Sequence, residues 1–133
     1  MNNNNSNSKI RGVDLSVGED GVLRVKIGAS LGGEDVEKLI NEAINFSRKT
    51  PGKTKVLVNF AAAPHIPSFI FRKQIITAIK KALKEIKNWR IAVYGGGTIQ
   101  KTVASFVARS SSLENIRFLN NEEDALKWLK EEN

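Results

Sequence analysis

The sequence predicts a single α/β domain whose sheet is mixed but mostly parallel, with about four or five strands and about four helices. Short runs of strand character alternate along the chain with longer segments of helical period, a pattern typical of a sheet covered by helices. The 133 residues, 41% of them hydrophobic and 26% charged, suit one domain. We therefore expect the element order β-β-α-β-α-β-α-β-α.

The first two strands are predicted to form an antiparallel hairpin. The runs "IRGVDLSV" and "VLRVKIGASL" flank the turn "GEDG", and the second run alternates in the strand period. The helix that follows, "GGEDVEKLINEAINFSRKT", begins with acids, which favour a helix N-terminus, and stops at "TPG". The apolar face of this helix consists of Val36, Leu39, Ile40, Ala43, Ile44 and Phe46.

Alternating strands and helices make up the rest of the chain. "TKVLVNF" is a short apolar run, as expected of a strand covered on both faces, and a long amphipathic helix follows in "FRKQIITAIKKALKEIKNW". "RIAVYGGG" is a second buried strand, "TIQKTVASFVARSS" a third helix and "NIRFLN" a short strand. In the final helix, "NEEDALKWLKEEN", Asn121 is the expected N-cap. Its apolar face is predicted to consist of Ala125, Leu126, Trp128 and Leu129.

The ends and the cysteine count narrow the class of protein. The asparagine-rich residues 1–8 have no apolar residue beyond Met1 and are predicted to be a disordered tail, which leaves 9–133 as the domain. No Cys is present, which excludes disulfides and thiolate catalysis and favours the cytoplasm. We expect no cofactor and no metal, because the chain has a single His and no Cys to serve as ligands.

Positive charge is concentrated in the middle of the chain. Between Arg48 and Arg109 there are 13 Lys or Arg and one acid, Glu85, a balance of +12, whereas the remainder carries −5 within the net charge of +7. Such a surface suits an acidic protein, an anionic membrane or a phosphate backbone. The alternative is a solvated helix face whose field is partly cancelled by the acidic C-terminal helix.

A stripe of lysines is predicted along the helix that follows "TKVLVNF". Lys73, Lys80, Lys84 and Lys87 fall on one face of this helix, with Lys81 beside them. Nucleic-acid modules usually combine such a stripe with exposed aromatic residues or a recognition helix, and neither is evident. The sequence therefore argues against nucleic-acid binding.

A run of glycines where a strand meets a helix is a candidate anion-binding loop. Free backbone N–H groups at such a junction can hold an anion, but the spacing matches neither a P-loop nor a dinucleotide-binding loop. A flexible turn from strand to helix is the favoured alternative. The residues of the candidate loop are Gly95, Gly96, Gly97, Thr98 and Lys101.

No catalytic constellation can be assembled from the sequence. His65 lies between two prolines with no acid nearby in sequence to orient it, and the acids of the first and last helices lie away from the apolar stripes. The expected role of His65 is that of a turn or rim residue. We therefore predict that the protein is not an enzyme.

Several strings together resemble the STAS domain, the fold of bacterial anti-sigma factor antagonists such as SpoIIAA. The resemblance is strongest to the SpoIIAA-like branch, which is also compared with lipid-binding CRAL-TRIO domains. The strings are "KVLVNF", "RIAVYGG" after "IKNW", and "IRFLNNEEDALKWL", and the resemblance runs from about Val22 to Leu129. It implies a single-domain STAS-like fold and a regulatory, protein-binding role without catalysis.

The resemblance also implies a regulatory position at Ser68. Family antagonists follow a central "vvlDls" strand with "DSSG", whose first Ser is phosphorylated by a partner kinase. Ungapped placement of "VLVNFAAAPHIPSFIF" on this pattern puts Asn59 on the strand Asp and Ser68 on the phosphorylated Ser. The other motif residues are replaced, by Pro67, Phe69 and Ile70. From the residues alone, a helix N-cap is the favoured role of Ser68.

The leading interpretation is a regulatory domain that docks a protein of the kinase or anti-sigma type through the start of the Ser68 helix. The alternative is a module for a small hydrophobic ligand, a lipid or an anionic membrane surface, because three consecutive apolar residues at a helix start cannot all face one core. A homodimer that buries the same residues is a third interpretation. The predicted interaction surface consists of His65, Phe69, Phe71, Arg72 and Lys73, next to Ser68.

Overall fold

The computed structural model describes residue 10 and residues 12–28, 33–61, 73, 77–95 and 115–131. These residues contain a five-stranded sheet in which the strands lie in chain order. β1 (Val13–Val17) pairs antiparallel with β2 (Leu23–Ile27), and the other neighbours pair in parallel. The remaining strands are β3 (Lys55–Asn59), β4 (Arg90–Tyr94) and β5 (Ile116–Leu119). The predicted fold class and the predicted hairpin are confirmed.

Three helices with definite ends lie among the described residues. α1 (Gly33–Lys49) connects β2 to β3, and α3 (Glu122–Lys130) follows β5. Residues 73 and 77–81 are helical, and α2 (Leu83–Ile86) continues the helical backbone towards β4. The turn between them is tight, because the Ala82 N–H is shared between the carbonyls of Ala78 (3.3 Å) and Ile79 (3.1 Å).

One core lies between the sheet and the helices of the first two crossovers. β2 directs Leu23, Val25 and Ile27 to this face, as its period-2 pattern predicts, and all three are buried. Ala43 of α1 and Ile86 of α2 pack against them. The other predicted apolar positions of α1 lie beside this cluster, except Val36, which is buried but does not belong to it. Each large side chain buried here contributes about 1.5–3 kcal/mol through the hydrophobic effect.

A second core lies on the opposite face of the sheet. Val22, Leu57 and Ala92 are almost fully buried beneath α3, which contributes Ala125, Trp128 and Leu129. Val56 and Leu57 therefore face different cores, and the prediction that β3 is covered on both faces is confirmed. The predicted N-cap of the last helix is also confirmed, since Asn121 Oδ1 accepts a hydrogen bond from the Asp124 N–H at 2.8 Å.

The acidic C-terminal segment and the basic middle meet at one described ion pair, in which Glu131, directly after α3, lies 3.7 Å from Arg90. α3 lies on the face of the sheet opposite Ile79 and Ile86, whose helices carry the lysines. Among the described residues, the carboxylates that pair with Lys81 and Arg48 are instead Glu37 of α1 and Glu85 of α2. The pattern of charge along the chain could not predict this, because it does not say which face of the sheet a helix covers.

Candidate functional site

The ends of β3 and β4 form the described part of the candidate site. They are neighbours in the sheet, with Asn59 in register with Tyr94. One step further, the Phe60 N–H donates a 2.9 Å hydrogen bond to the Tyr94 carbonyl, so the pairing extends to the last residues before the two chains separate. Ala61 and Gly95, the last described residues after the two strands, therefore lie side by side at one edge of the sheet.

Asn59 shapes the chain as it leaves β3. Its side-chain Oδ1 accepts a 2.7 Å hydrogen bond from the backbone N–H of Ala61, which closes an Asx turn. The resemblance places this residue on the Asp of the family strand, and an Asp oxygen could accept the same bond. The change from Asp to Asn therefore retains the turn and removes one negative charge from this edge.

Gly95 fits closely against the same turn. Its φ is +84°, a conformation that L-residues with a side chain rarely adopt. A Cβ at this position would lie 2.6 Å from the backbone nitrogen of Ala61 and 2.9 Å from its Cα. Gly95, the first residue of the predicted anion-binding loop, is thus required because the two backbones pack closely here. This structural role does not need a bound anion.

Tyr94, the single tyrosine of the sequence, lies at this edge as the last residue of β4. Burial raises the pKa of Tyr94, the charge of Glu122 raises it further, and Arg24 opposes both effects. The phenol therefore stays protonated near neutral pH and can act as a hydrogen-bond donor. The sequence predicted no role for Asn59 beyond its alignment and none for Tyr94, which are the last residues of β3 and β4.

Four exposed lysines with α-helical spacing form what we call the lysine row: Lys73, Lys80, Lys84 and Lys87. Two other basic residues of this surface have carboxylate partners. Lys81 Nζ lies 3.3 Å from Glu37 Oε2, and Arg48 Nη2 lies 2.9 Å from Glu85 Oε2. Within the described residues, no carboxylate pairs with the row itself.

Most predicted site residues fall outside the described part of the chain. Gly95 and Lys73 are described, the first packed against Ala61 and the second exposed on a helical residue. The others stay predictions of the sequence. They are His65, Ser68, Phe69, Phe71, Arg72, Gly96, Gly97, Thr98 and Lys101.

An open depression of about 440 Å³ lies at the other edge of the sheet, where β3 and β4 begin. Lys53, Thr54 and Lys84 line it together with Trp89, and its acid, Glu85, is paired with Arg48. Among the described residues, no cluster of His, Asp or Glu could hold a metal ion, and no helix is long and apolar enough to cross a bilayer.

Comparison with known proteins identifies the fold. No model of a known protein family matches the chain, and no curated protein matches its sequence. Among solved structures, the chain is similar to an uncharacterised protein of the DUF3478 family from Shewanella loihica PV-4, described as having a SpoIIAA-like fold. The two share 21% identity over 88% of this chain and 91% of the other, with a TM-score of 0.61.

A second similar structure is RsbS from Moorella thermoacetica, in a variant with a serine replaced by glutamate. The identity is 18%, the coverage is 89% of this chain and 94% of RsbS, and the TM-score is 0.59. At these identities the likeness is one of fold. The chain has a SpoIIAA-like fold, and the fold that the sequence resemblance implied is confirmed.

Proposed function

We propose that this chain, with its SpoIIAA-like fold, is a non-enzymatic regulatory domain that binds a protein partner. The observation that carries the proposal is the fold itself, shared with RsbS over 89% of this chain. A fold alone does not specify a function, so the proposal also depends on the sequence resemblance to anti-sigma factor antagonists. The proposed partner is of the kinase or anti-sigma type.

The proposed docking surface is the start of the helix after β3, around Ser68. The geometry at the edge of the sheet supports this choice, because the segments after β3 and β4 begin side by side there. Surface segments held by a rigid sheet are common places for binding residues. The exposed Lys73, close to Ser68 in sequence, adds positive charge near the proposed surface.

The chemistry of the described residues at this edge supports a binding role over a catalytic one. Asn59 is engaged in its turn, Gly95 is packed against Ala61, and Tyr94 is held in its neutral form. A hydrolase or transferase needs a base and a nucleophile within hydrogen-bond reach of each other. Among the described residues of the edge, no such pair is present.

Phosphorylation of Ser68 is the proposed switch. A phosphate there would add a charge of about −1.5 to −2, which Arg72 and Lys73 can pair with if the helix begins at Ser68. The glutamate in the RsbS variant likewise adds a negative charge at a serine of that protein. The charge would change the docking surface without changing the core.

The experiment is capture of the partner followed by affinity measurements. Tagged chain from its host is cross-linked, the bound protein is identified and purified, and its dissociation constant is measured against three forms of the chain. We expect Ser68→Ala to bind like the unmodified chain and Ser68→Asp to bind at least about tenfold more weakly, a loss of about 1.4 kcal/mol. Equal affinities for both variants would rule out the switch.

The hydrophobic-ligand alternative depends on Phe69, Ile70 and Phe71, which lie outside the described residues, and so does the homodimer. Both stay predictions. Native mass spectrometry of the purified chain tests both together, since it reports a retained lipid and a dimer as separate masses.

A further inference from the structure

The lysine row has four exposed positive charges that the chain itself leaves unpaired within the described residues. Lys73 and Lys80 are helical residues, Lys84 belongs to α2, and Lys87 lies in the turn that follows α2. Two basic residues beside the row, Lys81 and Arg48, both contact carboxylates of the same chain. They show that this surface binds carboxylates when such a group is within reach. Within the described residues, carboxylates of the chain pair with basic residues beside the row but not with the row itself.

We infer that the protein partner presents a row of carboxylates that lies along Lys73, Lys80, Lys84 and Lys87. The inference rests on the proposed function, because the partner is the protein that docks at the start of the same segment. Opposite charges at matching spacing accelerate encounter and fix the register of two proteins. The row thus predicts the chemistry of the partner. We expect an acidic protein surface on which Asp or Glu is repeated along one helix face.

From Lys80 to Lys87, the described residues favour a protein over a membrane. Insertion into a bilayer surface needs apolar side chains beside the lysines. Val17 of β1 is the one large hydrophobic residue that is exposed in the described part, and it lies on a different element from the row.

They also favour a protein over a nucleic acid. Single-stranded nucleic acids stack their bases on exposed aromatic side chains. The aromatic residue nearest to the row in the described sequence, Trp89, is only 7% exposed.

The probe is a synthetic helical peptide with four glutamates on one face, compared with a peptide of the same composition whose glutamates are spread around the helix. We expect the full chain to bind the one-face peptide more tightly. The affinity should fall as salt is raised from 50 to 300 mM, because screening shortens the reach of exposed charges to about 10 Å or less. Fluorescence anisotropy of a labelled peptide measures both effects.

Two double variants separate the row from the net charge. Lys80→Glu with Lys84→Glu changes the row. Lys26→Glu with Lys127→Glu makes the same charge change at two exposed residues, one on β2 and one on α3, which covers the opposite face of the sheet. We expect roughly a tenfold loss of peptide affinity for the row variant and less than about a twofold loss for the control, since exposed pairs are short-range. Lys73→Glu with Lys87→Glu repeats the test if the first variant does not fold.

Three outcomes would overturn the inference. They are no preference for the one-face peptide, an equal loss in the row and control variants, and tighter binding to phosphatidylserine vesicles or single-stranded RNA than to the peptide. Failure of the proposed function gives a different result. If Ser68→Asp binds the captured partner normally while the row variant loses it, the switch is wrong and the acidic partner stands.

Discussion

The pair formed by Asp20 and Arg24 ties the β1–β2 turn to the start of β2. Arg24 donates through both terminal nitrogens to the two carboxylate oxygens, at 2.9 and 3.0 Å, and Asp20 also accepts from the Val22 N–H at 3.1 Å. The hydrogen bond from Arg24, aided by that of Val22, lowers the pKa of Asp20 from 3.8 to about 2, although partial burial opposes the shift. The folded state therefore favours the ionised carboxylate.

We predict that Asp20→Asn lowers the free energy of unfolding by roughly 0.5–1 kcal/mol at pH 7, the size expected of a solvent-accessible ion pair. Because the pKa is depressed on folding, the stabilisation is complete above pH 3.8 and is lost as pH falls through about 2. Urea titrations between pH 7 and pH 2 should show the two proteins converging. Glu19→Gln, at the exposed neighbouring residue, is the control, and an equal loss there would contradict the prediction.

Gly95 and Gly52 have similar backbone conformations but different surroundings, so they can be compared directly. Their φ angles are +84° and +83°, but an added Cβ meets the Ala61 backbone at Gly95 and nothing within 4 Å at Gly52. We expect Gly52→Ala to cost about 1–2 kcal/mol for the left-handed conformation alone. Gly95→Ala should cost at least about 1 kcal/mol more, because a backbone must move. Chemical denaturation measures both, and equal costs would show that the close approach is unimportant.

At the scale of elements, the attachment of α3 depends on Trp128 and Arg90. Arg90 Nε donates a 2.9 Å hydrogen bond to the Trp128 carbonyl, and its guanidinium carbon lies 3.8 Å from the centre of the indole ring. Arg117 approaches the same ring at 5.5 Å. The first residue of β4 therefore holds the helix through both its backbone and its aromatic side chain.

We predict that Arg90→Met, which keeps an apolar stem, lowers the free energy of unfolding by about 1–3 kcal/mol through loss of the hydrogen bond and the cation–π contact. Arg117→Met should cost less than about 1 kcal/mol, because its more distant contact is exposed. Urea unfolding followed by circular dichroism compares them. Similar losses in the two variants would mean that the Arg90 contacts contribute little.

The sequence predicted the elements better than their contacts. Leu23, Val25 and Ile27 alternate with Val22 and Arg24, so periodicity correctly assigned their two faces. Arg90 and Trp128 are 38 residues apart, and nothing in either local pattern connects them. Contacts of this kind arise only when strands and helices meet, which period and propensity do not specify.

At the scale of the whole molecule, the domain boundary can be tested at Ile10. Ile10 is 6% exposed and belongs to the first core, and its carbonyl accepts from the Val13 N–H at 3.2 Å. We predict that deletion of residues 1–8 leaves the free energy of unfolding unchanged within about 0.5 kcal/mol. Ile10→Ala in the full chain should cost about 2–5 kcal/mol. A substantial loss on deletion would place part of the tail in the folded domain.

The candidate site was predicted less completely than the fold. The resemblance and the glycine run placed the candidate residues after β3 and β4, but the sequence did not predict that the ends of these two strands are adjacent, as their register shows. The close packing of Gly95 on Ala61 could not be predicted, because a glycine after a strand reads equally as a turn or as an anion-binding loop. The role of Ser68 depends on a partner, which leaves no pattern in this chain.

The order of the strands in space follows their order in the chain. During synthesis each parallel strand can therefore join the strand made before it, and the sheet grows from one edge as the chain leaves the ribosome. Val22, Leu57 and Ala92 nevertheless pack against α3, which follows all five strands in the chain. Until Leu129 emerges, these three residues lack the cover of α3, so we expect chaperones to bind the unfinished chain there.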